Sequence, residues 1–119
     1  MSNIKKNFQD LLVWQKSVDL SAEIYKMTES YPKNEVFGLT NQIRRASVSI
    51  ASNIAEGAAR YSKPEFKHFL SISIGSVAEL KTQLIISNKV GFLNKKDLDN
   101  LFLKIDEISK MLLGLRNKI

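Results

Sequence analysis

Seven apolar residues constrain this chain more than any other feature: Leu98, Leu101, Ile105, Ile108, Leu112, Leu115 and Ile119 follow one another at alternating steps of three and four. That alternation is the seam of a helix packing along partners at a shallow angle, and a strand cannot produce it. Asn94-Lys95-Lys96-Asp97 supplies a box-like cap in front of it, so a helix is expected over about residues 95–118.

Three earlier stretches carry the same period. Leu11, Trp14, Val18, Ala22 and Tyr25 predict a helix over about 10–30, broken by Tyr31-Pro32-Lys33-Asn34 because proline disfavours helix in the residue before it. Val36, Leu39, Ile43, Ala46, Ile50 and Ile54 predict a second over about 35–60, with Asn34 as N-cap. Ser62-Lys63-Pro64-Glu65 is a capping box with proline at an early helical position, where its missing N–H costs nothing. The third helix then runs over about 63–90 through Phe66, Leu70, Ser73, Val77, Leu80 and Leu84, with Gly91 at the C′ position. Four such helices on short connections predict an all-α, up-down-up-down four-helix bundle, and 119 residues suit a single domain over 1–119.

The apolar pattern exceeds what one bundle requires. In the second helix Phe37, Val48, Ala51, Ala55 and Ala59 widen the apolar or small-residue arc past a half-turn, where a stripe a little over about 100° suffices. In the first, Val13, Leu20, Ile24, Met27 and Tyr31 form a second face roughly opposite Leu11, Trp14 and Val18. Such surplus predicts contact with further copies, a homo-oligomer. The rest of the second helix is a polar strip that includes Gln42, Arg45, Asn53, Glu56 and Arg60, candidates for a structural or subunit-bridging network.

Catalytic chemistry finds little purchase. The chain has no cysteine, which excludes a thiolate nucleophile and cysteine-held metals. Glu65-Phe66-Lys67-His68 is half of a di-iron motif, but His68 is the single histidine and Glu65 is used by the capping box. Glu56 and Glu79 suit salt bridges better than acid–base work, and no glycine pattern forms a phosphate loop. The expectation is a non-enzyme without metal, cofactor or small-molecule substrate. The apolar stretch near the start is broken by Gln9, Asp10, Gln15 and Lys16, and no window reaches the roughly 18 uninterrupted apolar residues of a spanning helix. A cytoplasmic protein without a membrane partner is expected.

Charge offers the strongest binding signal. The formal net charge is +6, and it is uneven: residues 8–31 hold two lysines against four acids, whereas residues 33–68 hold six basic against three acidic side chains. Arg44, Arg45, Arg60, Lys63 and Lys67, with Lys95 and Lys96 at the next turn, are candidate phosphate contacts. Arg45 and Arg60 share the polar strip with Glu56 and suit a structural network there more than phosphate contact.

The stretch VWQKSVDLSAEIYKMTESYP, followed by FGLTNQIRRASVSIASNIAEGAARYSKPEFKHFLSISIGSVAELKTQL, resembles the four-helix bundle family encoded within intervening sequences of bacterial 23S ribosomal RNA genes, also labelled S23 ribosomal protein. The likeness covers about residues 8–86 and is carried most specifically by Gln42-Ile43-Arg44-Arg45-Ala46 through Ser52-Asn53-Ile54-Ala55-Glu56-Gly57. It implies a small all-α bundle. Accessory proteins of diversity-generating retroelements are similar in fold, which implies a homopentamer that binds nucleic acid through basic surfaces. Two functions are therefore expected: an oligomeric nucleic-acid-binding protein, with RNA the expected ligand, or a protein-interaction scaffold whose basic charge is incidental.

Overall fold

The computed structural model describes residues 7–119. After a 3-10 turn at Phe8–Asp10, four helices follow: α1 (Leu12–Thr28), α2 (Leu39–Ala59), α3 (Lys63–Lys89) and α4 (Lys95–Lys118). Each helix packs on its neighbour in sequence and α4 returns to α1, while the backbones of the diagonal pairs stay farther apart and meet through the shared core. The result is the up-down four-helix bundle that the periods predict, a rod of 51 × 24 × 20 Å.

The boundaries follow local chemistry. Ser62 accepts a hydrogen bond from the Glu65 amide at 3.4 Å, and Asn94 from the Asp97 amide at 2.8 Å, as N-caps do. At the end of α3, Gly91 takes φ +86° while the amides of Phe92 and Gly91 donate to the carbonyls of Ser87 and Asn88. This is a Schellman closure, which needs the left-handed residue that glycine supplies. Tyr61, between α2 and α3, is also left-handed at φ 54°.

The start of the second helix departs from expectation. Asn34 lies in a 3-10 turn over Lys33–Glu35, and α2 begins at Leu39 behind Gly38. Glu35 takes the capping role instead, its carboxylate accepting from the Leu39 amide at 3.1 Å. Val36 and Phe37 are thereby excluded from the helix and exposed.

The two faces of α1 are also resolved. Val13, Leu20 and Ile24 enter the core, whereas Val18, Ala22 and Tyr25 of the other stripe are exposed and Leu11 and Trp14 half-buried. Buried Ser17, Ser21 and Thr28 flank the core stripe, and Ser21 meets Ser47 of α2 at 3.0 Å. Small side chains there let α2 approach. The core is completed by Ile43, Ile50 and Ile54 of α2, Leu70, Leu80 and Leu84 of α3, and Leu101, Ile105, Ile108 and Leu112 of α4. Among the described residues α3 is the helix long and apolar enough by composition to cross a bilayer, yet one side of it is spent on this core.

Candidate nucleic-acid interface

The antiparallel run of α3 and α4 brings the start of one to the end of the other. Arg116 donates to the Ser71 hydroxyl at 3.1 Å, which sets the register at this pole. Around that contact lies a surface groove of about 420 Å³ lined by Pro64, Lys67, His68, Ser71, Arg116 and Asn117. Among the described residues no acidic side chain lines it. Lys67 and His68 are exposed and have no ion-pair partner among the described residues, and Lys63 lies one helical turn before Lys67. Arg116 forks two or more donors from a planar head, a geometry suited to phosphate oxygens, while the lysines act as mobile point charges.

The other basic candidates go elsewhere. Arg60 is held by Glu56 at 3.0 Å and Glu65 at 3.2 Å, with its guanidinium 5.1 Å over the Phe69 ring. Arg44 reaches back to α1, donating to the Thr28 hydroxyl at 2.9 Å and stacking 4.8 Å over Tyr25. Both serve helix–helix contacts. Lys95 is paired with Asp99 at 2.9 Å, and it stands with Lys96 at the opposite pole of the rod from Lys67. Arg45 is exposed on the outer ridge of α2 without an ion-pair partner among the described residues.

The polar strip of α2 is likewise divided. Glu56 and Arg60 form one pair, while Asn53 donates to the Ser49 carbonyl at 2.8 Å and its hydroxyl at 2.9 Å. Ser49 meets Ser76 of α3 at 2.9 Å, so this branch ties two helices together. Among the described residues, exposed Gln42 and Arg45 join neither branch.

On the side of the bundle where α1 meets α2 lies an apolar groove of about 550 Å³, floored by Trp14, Val18, Tyr25, Val48, Ala51 and Ala55. It unites the surplus arcs of the two helices.

A profile of the 23S rRNA-intervening sequence protein family matches residues 9–114. The chain belongs to this family. Its fold is also that of a protein of unknown function from the S23 ribosomal protein family of Bacteroides thetaiotaomicron. That crystal structure superposes with a TM-score of 0.79 at 23% identity, covering 88% of this chain and 98% of the other. No curated protein matches the chain. Family membership thus fixes the architecture and leaves the activity to be argued from the surface.

His68, Arg116 and Asn117 were missed as site residues by sequence reasoning. The signal was slight: Arg116 and Lys118 end the last heptad, and only the antiparallel register places Arg116 beside Ser71.

Proposed function

We propose that this intervening-sequence protein is a non-enzymatic, oligomeric RNA-binding protein. What carries the reading is the pole where Lys67, His68 and Arg116 converge on an acid-free groove with Lys63 beside them. Contact is to phosphate, without strong base readout, since among the described residues no Phe, Tyr or Trp lines the groove. One such patch is weak; copies repeated by symmetry reach several phosphates of one strand and multiply the affinity. The exposed groove of α1 and α2 supports self-association. A cytoplasmic setting agrees with this reading.

The test is binding of fluorescent single-stranded and structured RNA at three salt concentrations. Wild-type protein is expected to bind with a steep negative salt slope, and Lys67→Glu/Arg116→Glu to lose at least tenfold in affinity with a shallower slope. Equal binding by the variant would remove the pole from consideration. The second reading, a protein-interaction module, is favoured by the same α1/α2 groove; it predicts no RNA binding at low salt and a partner interaction that changes little with salt.

A further inference from the structure

Among the described residues, two turns pass through the left-handed region of the backbone, and they fill it differently. After α3 the residue is Gly91, at φ +86°, where the missing side chain removes the clash. Between α2 and α3 it is Tyr61, at φ 54°. A bulky L-residue is disfavoured there, and glycine or asparagine is the usual occupant. The local backbone therefore gains nothing from a tyrosine. Nor is its ring spent on the core, since the residue is 70% exposed.

The turn that carries Tyr61 is fixed on both sides. Arg60 before it is clamped by Glu56 and Glu65 and stacks over Phe69, and its amide donates to the Gly57 carbonyl at 3.2 Å. Ser62 after it is extended and caps α3. A Cβ on Gly57 would lie 2.7 Å from the Phe69 Cβ, so α2 and α3 meet closely just behind the turn. Tyr61 is thus presented by a firm hairpin. It also stands at the basic pole. Lys63 is two residues on, and Pro64, which lines the groove of Lys67, His68 and Arg116, is three residues on, at most about 11 Å along the chain.

We propose that Tyr61 is a stacking platform for one unpaired base of the RNA, whose neighbouring phosphates lie on Lys63, Lys67 and Arg116. A phenol ring offers its face to any base, so this contact adds affinity without reading sequence. It selects strandedness instead. Bases inside a duplex are stacked on one another and turn only their edges outward, so a single strand, a loop or a bulge is needed to lay a base on the ring. The ligand class of this pole is accordingly unpaired RNA, with duplex held by charge alone. The disfavoured φ is the mark of a position kept for its side chain, and the firm hairpin lets the ring meet a base without first ordering a loop. This inference rests on the RNA reading above and names the form of RNA that the pole takes.

The test uses the full chain and a short single-stranded RNA carrying 2-aminopurine, with the same strand paired to its complement as the duplex arm. Wild-type protein is expected to quench the 2-aminopurine of the single strand. Tyr61→Gly should lose about tenfold in single-strand affinity and nothing on the duplex. It should unfold at no lower temperature than wild type, because glycine relieves the left-handed position. Its salt slope should also match that of wild type, since the phosphate contacts are intact. Tyr61→Phe, which keeps the ring face, should bind as wild type does. If Tyr61→Gly binds the single strand as tightly as wild type while Lys67→Glu/Arg116→Glu is weakened, the platform is overturned and the RNA reading stands. A parallel loss on the duplex, or a loss shared by Tyr61→Phe, overturns stacking as the cause. Absence of wild-type binding at low salt overturns both.

Discussion

The seams α2–α3 and α1–α4 are built on opposite plans. Where α2 meets α3, Gly57 faces Phe69 so closely that a methyl group would collide with it, Ser73 donates to the Ile50 carbonyl at 2.9 Å, and Ser49 meets Ser76. Where α1 meets α4, the rim is closed by long charged side chains, Lys104 to Glu23 at 2.6 Å and Lys16 to Glu107 at 3.3 Å, over a groove of about 280 Å³. One seam is fixed by backbone proximity and buried hydroxyls, the other by solvated ions. The lesson is that a bundle of four similar helices need not be equally bound at each edge.

The contrast is broken most severely at Gly57. Gly57→Val is expected to cost about 3 kcal/mol in urea unfolding, because the added carbons meet Phe69 and the helices must part. A loss under 1 kcal/mol would mean that the seam is not held by close approach. Ser49→Ala/Ser76→Ala removes both ends of one hydroxyl contact and leaves Asn53 its bond to the Ser49 carbonyl, so about 1 kcal/mol is expected. On the other seam, Lys104→Ala should cost no more than about 0.5 kcal/mol at low salt and nothing at 1 M salt, since its side chain and that of Glu23 are 55% and 41% exposed. A salt-independent loss larger than that for the serine pair would reverse the ranking of the seams.

The smallest effect at neutral pH is expected at Tyr31, which joins the end of α1 to Phe92 in the loop after α3, with ring centroids 5.5 Å apart. Its hydroxyl is buried with no hydrogen bond of good geometry among the described residues; its one polar neighbour there is the Ser87 hydroxyl, which donates to the Gln83 carbonyl and only partly offsets the effect of burial. Burial raises the phenol above its ordinary value of 10.0. The unfolded chain therefore loses this proton first, and stability is retained below pH 10 and falls as pH rises beyond it. Tyr31→Phe should be neutral or slightly stabilising at pH 7 and should flatten that alkaline decline. An unchanged decline in the variant would assign it to other groups.

The sequence made some of this legible and concealed the rest for physical reasons. The heptads of α4 and the caps at Ser62, Asn94 and Gly91 are local signals, and each stands where its spacing places it. The two stripes of α1 are a different matter: both are apolar, and periodicity alone cannot rank them. What decides is that Ser17 and Ser21 flank one stripe and are small enough for α2 to come near. The cap of α2 was misplaced because the side chain that performs it, Glu35, bonds forward to Leu39 from outside the helix. The basic pole was only half visible, since Arg116 reaches Ser71 across 45 positions of sequence. Conversely, Arg44 and Arg60 read as phosphate ligands by type and are engaged within the bundle by their neighbours.

The close approach at Gly57 also has a consequence in time. Only Arg60, Tyr61 and Ser62 separate α2 from α3, so closing this hairpin costs little chain entropy, and its contacts are nearer in sequence than those of α1 with α4. The hairpin is expected to form in the folding transition state, with substitutions at Gly57 slowing folding and those at Lys104 chiefly hastening unfolding. The edge that brings the first and last helices together would then be the last to close and the first to open, and the order in which the molecule assembles would follow from where a glycine has been placed.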